Sequence, residues 1–529
     1  MADGQQARVR RRGEAWRVTV PGVLAVAHLA ITSIGSPPIR SVRVRVGTWR
    51  APKGWVGDPR VAGVREISLR PRRDGVEVNL SVIDPVDPSL LLAAVVRMLR
   101  PTNLDVGPLM TLGPGLPPEA GSLAGWLTDA ASIGSQPNAH LRRCDSLVIS
   151  DEAALADLPR SRTIVVDGAG WRVDGESRAV HIDPAVHRPV GRRSIPSGIV
   201  AEAVVDGGAL RLALPEGTVI VTGDLAPTDV HRLRSVSGVS ARDPLPERWR
   251  AQLEASGVVV IDGAADFPEP DDALAWQSAS VHARRSALRS TSPMGALASW
   301  PTVSVVLVTH RERFLDHALA QLARIEYPRL QVVIGLHGVE VDDRTFDALQ
   351  NVHDVAVQRI PSTTPFGAAL QLACDRADGT LVTKIDDDDH YAPEHVWDLV
   401  LARMYSGAQL VGKALDWIHV EAEDITAFRP VYPAESFATF VAGGTLLIAK
   451  ADLAAFGGWR PVPKSVDRAL IEQVKRAGGL IYRTHGLGYV YVRHGDEHTA
   501  VVRDEHFLKE NSSRWPGLIS HEAFGTATP

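Results

Sequence analysis

The stretch Leu381 to Ile385 runs straight into four consecutive aspartates, Asp386 to Asp389, and no other feature limits the fold as strongly. Carboxylates packed at a strand end repel one another unless a cation holds them, so a hard divalent metal is the natural resident. Mg2+ or Mn2+ typically takes one or two protein carboxylates and fills its shell with phosphate oxygens from a substrate. The alternative, a solvated acidic turn, suits a polar tail better than the end of an apolar run. The residues upstream supply the rest of an α/β layer. Val303 to Thr309, Gln331 to Leu336 and Val355 to Ile360 read as buried strands. Leu315, Leu319, Leu322 and Ile325 recur at helical spacing, Tyr327-Pro328 ends that helix, and Ala368 to Ala377 reads as another. Open α/β sheets bind ligands at the C-terminal ends of their strands, where these aspartates fall.

Composition enters as a set of exclusions. A chain of 529 residues leaves room for about three domains. With 45% apolar and 22% charged residues it is globular, neither disordered nor fibrous. A net charge of −5 provides no overall basic field, so nucleic acid is not an expected partner. Two cysteines, Cys144 and Cys374, exclude a disulfide scaffold and a Cys-rich zinc module. They suit a reducing cytosol, and a cytoplasmic location is expected. Arg8, Arg10, Arg11 and Arg12 precede an apolar stretch from Val18 to Ile34 that loosely mimics a signal peptide. Pro21 and His28 interrupt it, and no small-x-small cleavage site follows. The cluster reads as a solvated or membrane-skimming tail, compatible with peripheral contact at the inner face of a membrane.

Three regions are expected. Residues 1–120 are β-rich: Val42, Val44 and Val46 alternate with arginines, Val76 to Val82 repeat the pattern, and Leu90 to Leu99 reads as a buried helix. Residues 140–290 form an α/β region in which Ser146 to Ile149, Thr163 to Val166, Thr218 to Val221 and Val258 to Ile261 read as buried strands of a parallel sheet. The segment 144–168 vaguely resembles the nucleotide-binding half of GT-B glycosyltransferases, yet Gly168-Ala-Gly170 lacks the third glycine of a dinucleotide fingerprint. Ser, Pro and Gly then mark 290–301 as a linker to a third region, 300–529. Within it, Gly407 to Ala414 nearly spells a P-loop. Ala414 lacks the hydroxyl that Mg2+ needs, and the run reads as a strand.

Residues from about 302 to 500 resemble the GT-A glycosyltransferases of family 2. The resemblance rests on Val303 to Thr309 followed by Arg311, on Tyr327-Pro328, and on Asp386 to Asp389 as an Asp-x-Asp motif. It continues through Gly443-Gly444-Thr445-Leu-Leu-Ile448 and Gly457-Gly458-Trp459 in the same order. It implies a Rossmann-like GT-A domain behind the β-rich and α/β regions. Thr309, Arg311, Lys384, Asp386 and Asp387 would then serve the nucleotide, Asp386 and Asp388 the Mg2+ or Mn2+, and a late histidine, His494, would join the metal. His498 shares that segment, and an ordinary hydrogen-bonding role is the alternative for both histidines. Asp467 opens a helical pattern through Leu470, Ile471 and Val474, and is the candidate catalytic base. Charge compensation at a helix start is its structural alternative, and Asp496 and Glu497 are its competitors.

Two departures stand out. Gly335-Leu336-His337-Gly338 replaces the aspartate that usually ends the second strand, and Ser465-Val466-Asp467 retains one acidic residue of a usual pair. The expected function is a metal-dependent inverting glycosyltransferase. It would move a sugar from a nucleoside diphosphate sugar to a hydroxyl on a glycan or lipid-linked acceptor, in cell-envelope or capsule-like glycan synthesis. The rival is a non-catalytic binding or scaffolding protein with a decayed transferase domain. A nucleotidyltransferase also uses paired aspartates, but no glycine-rich phosphate loop follows Val308.

Overall fold

The computed structural model describes residues 7–22, 25–26, 29, 33, 36–49, 64–72, 75–99, 109–112, 146–149, 163–167, 170–173, 179–182, 186–193, 196–263, 265–292, 295, 300–476, 480–494, 507–508 and 513–526. The fold is mixed α/β, with five sheets among the described residues. Contacts divide the chain into two compact units, Met1–Val180 with Thr291–Ser299, and His181–Ser290 with Trp300–Pro529. The 140–290 region read from sequence is therefore shared between two units.

In the first unit a five-stranded sheet runs in the order Arg8–Arg12, Ala15–Val20, Ile39–Val46, Val76–Val86, Val64–Pro71. Ile39, Val42, Val44 and Val46 face a core with Leu91, Leu92 and Val95 of the Pro88–Leu99 helix, while Arg40, Arg43 and Arg45 face solvent. The alternation in the sequence is this half-buried geometry. The N-terminal arginines are not a tail, as expected, but a strand paired antiparallel to Ala15–Val20. A second sheet places Leu109–Leu112, Ser146–Ile149 and Thr163–Asp167 in parallel. Gly170–Val173 then pairs antiparallel with Thr163–Asp167, so the chain turns back as a hairpin where a nucleotide fold would start a helix.

The second unit begins with a sheet ordered Gly217–Val221, Ala209–Leu214, Val200–Asp206, Gly238–Ala241, Val259–Asp262. Thr218 to Val221 is not the expected buried parallel strand. It is an antiparallel edge strand with Ile220 55% exposed. Gly207 and Gly208, both at positive φ, make the tight turn that folds the preceding hairpin.

The eight-stranded sheet of the same unit positions the acidic run. Its order is Asp354–Ile360, Leu330–His337, Val303–Thr309, Leu381–Ile385, Leu447–Ala449, Leu410–Lys413, Ile481–Thr484, Ser436–Phe437. The first four strands are parallel, and all seven residues of Val303–Thr309 are buried, which is why the sequence there is largely apolar. Leu447–Ala449 runs antiparallel to Leu381–Ile385. A smaller sheet carries His390–Tyr391 beside Tyr489–Arg493. Leu410–Lys413 is a fully buried strand, as read, and Gly407 caps the preceding His395–Ser406 helix at φ 65°.

Buried ion pairs join the Ala273–Thr291 helix to the His395–Ser406 helix and to the residue before the Ser436–Phe437 strand. Arg285, from the Ala273–Thr291 helix, donates to both oxygens of Asp398 at 2.6 and 2.8 Å, and Arg284 lies 2.8 Å from Glu435. Among the described residues, no helix is long and apolar enough to cross a membrane.

Candidate active site

The chain gives its four strand-end aspartates different environments. Leu381–Ile385 is buried throughout and delivers them beside the end of Val303–Thr309. Asp389 is buried, and its oxygens accept from the Val492 backbone N–H at 2.9 Å and the Tyr489 hydroxyl at 2.8 Å. Burial, with repulsion from Asp388 and Asp386, pushes its carboxyl well above the usual range. Asp389 thus ties the Tyr489–Arg493 strand to the acidic turn.

Asp387 also points inward, its side chain 5% exposed. Thr309 Oγ1 donates to one oxygen, and the Arg311 guanidinium donates to both. Arg311 reaches Asp388 at 2.7 Å and lies over the Phe314 ring, 4.6 Å from its centroid. Burial alone would lower the Arg311 guanidinium, but its bonds to Asp387 and Asp388 outweigh that and raise it. Thr309 and Asp387, read from sequence as nucleotide residues, both hydrogen-bond Arg311.

Asp386 faces a different partner and keeps 34% of its side-chain surface exposed. Lys384 Nζ donates to Asp386 Oδ1 at 2.5 Å, and it lies 3.2 Å from Asp467 Oδ1 and 3.4 Å from the Gly443 carbonyl oxygen. Burial would lower the ammonium, yet Asp386 and Asp467 together hold it above its ordinary value. Asp467 stands in the first turn of the Val466–Arg476 helix, as the sequence pattern predicts. Burial, opposed by Lys384 and assisted by Asp386, lifts its carboxyl to about 6. Two glycines make room for this meeting. A Cβ on Gly443 would stand 2.6 Å from Asp467 Oδ2, and one on Gly444 would stand 2.8 Å from both Asp386 Oδ2 and the Tyr391 hydroxyl. That hydroxyl accepts from the Asp386 backbone N–H and donates to the Gly444 carbonyl, locking strand end to turn.

His494 follows the Tyr489–Arg493 strand that Asp389 holds. Its Nε2 lies 4.0 Å from Asp388 Oδ2, and its Nδ1 lies 2.9 Å from Glu421. His498, Asp496 and Glu497 lie outside the described residues. Leu330–His337 ends in a histidine whose Nε2 is 2.8 Å from the Thr364 carbonyl oxygen. No family-model match and no similar curated protein is found for the chain. Among solved structures, S. aureus TarS 1–349 in complex with UDP-GlcNAc aligns over 39% of this chain and 63% of its own, at 16% identity and a TM-score of 0.30. The mannosyltransferase PcManGT from Pyrobaculum calidifontis, in complex with GDP-Man and Mn2+, aligns over 38% and 59%, again at 16% and 0.30. Both alignments span less than two thirds of the other structure's chain. At that level of likeness the site is read from its own geometry.

Four carboxylates, Asp386 to Asp388 and Asp467, thus face two cations, Lys384 and Arg311. The excess of hard oxygen donors fits Mg2+ or Mn2+. Among the described residues no three His, Cys, Asp or Glu side chains form a ready metal cage. Sequence reading missed Tyr489 and Glu421. They lie 100 residues from Asp389 and 73 from His494, so no local pattern could connect them.

Proposed function

We propose that this chain is a glycosyltransferase, with its site at the C-terminal edge of the eight-stranded sheet. The observation that carries this reading is the Lys384 ammonium, shared by strand-end Asp386 and helix-head Asp467 above the Gly443-Gly444 turn. It unites the acidic strand end with a separate carboxylate of raised pKa, which is the pairing that transfer to a hydroxyl requires. The donor is a nucleoside diphosphate sugar lying across the strand ends. Asp386 and Asp388 would hold Mg2+ or Mn2+, with His494 near Asp388, and the bound ion would neutralise charge on the departing diphosphate.

The chain's own groups do the remaining work. Asp467 accepts the proton of the acceptor hydroxyl as its oxygen bonds to the anomeric carbon, while the bond from that carbon to the diphosphate oxygen breaks. Attack from the opposite face inverts the anomeric centre. A carboxyl lifted to about 6 is ionised at neutral pH and a stronger base than an ordinary aspartate. Lys384 orients it, and Arg311 braces Asp387 and Asp388. We assign the acceptor to glycan or lipid-linked hydroxyls in cell-envelope or capsule-like synthesis, at the cytoplasmic side.

A panel of sugar nucleotides tests the reading through release of nucleoside diphosphate with and without Mn2+. Metal-stimulated release that Asp386→Asn and Asp388→Asn abolish is the expected result. No release from any donor, or equal release by both variants, overturns it.

A further inference from the structure

The second unit carries an open cavity of about 1030 Å3, lined by Gly191, Arg192, Arg193 and Ile199, by Arg234, by the Ala273–Thr291 helix and by Pro430 to Ser436. None of the strand-end aspartates lines it. The Ser436–Phe437 strand beside it is the sheet edge, four strands from Leu381–Ile385, or roughly 19 Å at the usual interstrand spacing.

Its charge is unbalanced. Arg192, Arg193, Arg234 and Arg284 line it, and Glu435 is the one lining carboxylate among the described residues. Glu435 is already saturated. Its oxygens take Arg284 at 2.8 Å, Thr484 at 3.2 Å, and the Tyr405 and Tyr482 hydroxyls at 2.9 and 2.7 Å. Arg192 Nη2 donates to the Val236 and Ser237 carbonyls at 3.1 Å and Arg234 Nη1 lies 2.8 Å from His231 Nδ1, but among the described residues neither arginine forms an ion pair, and Arg192 Nη1 and Arg234 Nε are buried without a hydrogen-bond partner. Leaving charged donors buried and unmade is costly, so such groups point to a missing acceptor. Burial, with repulsion from Arg284, depresses the Arg192 guanidinium, and Glu435 only partly offsets it; burial likewise depresses Arg234.

The backbone is shaped around these groups. Glu435 adopts φ 49°, rare for a residue with a side chain, and its carbonyl accepts from the Gly191 N–H at 2.6 Å. A Cβ on Gly191 would press on the Arg234 guanidinium at 3.0–3.1 Å, so glycine there lets Arg234 lie flat against the chain. Trp276, Ile199 and Val431 add apolar wall, and the volume is that of a small-molecule pocket, far larger than one phosphate needs. Guanidinium forks match phosphate oxygens.

We propose that this cavity is a second ligand site, separate from the strand-end site, for an organic molecule bearing a phosphate or diphosphate group. Arg192 and Arg234 receive the oxyanion, Arg193 attracts it at the rim, and the apolar wall holds the body. The inference does not depend on the transferase reading.

Calorimetry on the full chain with EDTA present tests it, using glycerol 3-phosphate and inorganic phosphate as probes. Glycerol 3-phosphate should bind more tightly than inorganic phosphate and weaken as salt rises. Arg192→Gln with Arg234→Gln should cost about tenfold or more in affinity, while Asp386→Asn changes nothing. Should the double variant not fold, exposed Arg193→Glu decides: it should weaken binding with an unchanged melting temperature. Absence of binding at millimolar probe, full affinity in the double variant or in Arg193→Glu, or equal affinity for inorganic phosphate would overturn the proposal.

Discussion

Two buried lysines stand at the ends of strands in the same sheet, and their surroundings differ in the ratio of cations to carboxylates. Lys413 ends Leu410–Lys413 and donates to Asp398 at 2.6 Å. That single carboxylate also receives Arg285, with His485 at 3.5 Å, and is 1% exposed. Lys384, in Leu381–Ile385, is shared by two carboxylates that keep 34% and 28% of their surface exposed. Burial and the neighbouring arginines lower Lys413 despite Asp398, whereas Asp386 and Asp467 raise Lys384 against burial. A sealed cluster with cations in excess holds the core together. An open one with carboxylates in excess is ready for cationic or proton-transfer chemistry.

The comparison breaks first at Asp467. Asp467→Asn should reduce transfer about 10²–10⁴-fold while sugar-nucleotide affinity, followed by calorimetry, survives. A variant with near-normal transfer and only a lower melting temperature would place Asp467 in the same structural class as Asp398.

Asp398→Asn should behave in the opposite way. It leaves Arg285 and Lys413 buried without their counter-charge, and should cost about 3–5 kcal/mol in denaturant melts. Because Asp398 is held well below the usual carboxylate range, the wild-type contribution is present above about pH 4 and lost as pH falls through the folded-state value. The same network predicts that residues 300–529, stripped of Arg284 and Arg285, melt at lower urea than residues 181–529.

Gly444→Ala sharpens the open cluster. Its Cβ would displace Asp386 or Tyr391, and turnover should fall on the order of ten- to a hundredfold, with a smaller change in melting temperature. Unchanged turnover would show that Asp386 tolerates the shift.

Asp416 supplies a pH-dependent effect, as a buried carboxylate with no ion pair among the described residues. Burial lifts it to about 7, with Arg483 and the Gly486 backbone opposing. A raised folded-state value means that stability is full below the unfolded value near pH 4 and declines as pH rises toward 7, by at most about 1.4 kcal/mol per pH unit. Asp416→Asn should flatten that decline in melts taken between pH 4 and 7; an equal slope in both proteins would exclude Asp416 as its source.

Much of the second unit is legible in the sequence where neighbours along the chain decide the outcome. Largely apolar runs marked Val303–Thr309 and Leu381–Ile385, and amphipathic spacing placed Asp467 in the first turn of its helix. The reading was weaker where a short apolar run could pair in either direction. Thr218 to Val221 owes its antiparallel edge position to the Pro215-Glu216 turn just before it, a local signal that the reading of the apolar run passed over. The N-terminal arginines were misread as a tail because alternation over five residues is masked when both faces carry charge.

By itself the sequence determined that four aspartates would emerge from a buried strand at the C-terminal edge of a sheet, because strand formation and its termination are local events. Only the tertiary structure decided what each aspartate does. Whether a carboxylate meets Arg311, Lys384 or the Tyr489 hydroxyl depends on groups 76, 2 and 100 residues away in the chain. Burial and counter-charge set by that assembly, not residue type, separate the anchoring Asp389 from the exposed Asp386. They also divide two chemically identical lysines between core and site.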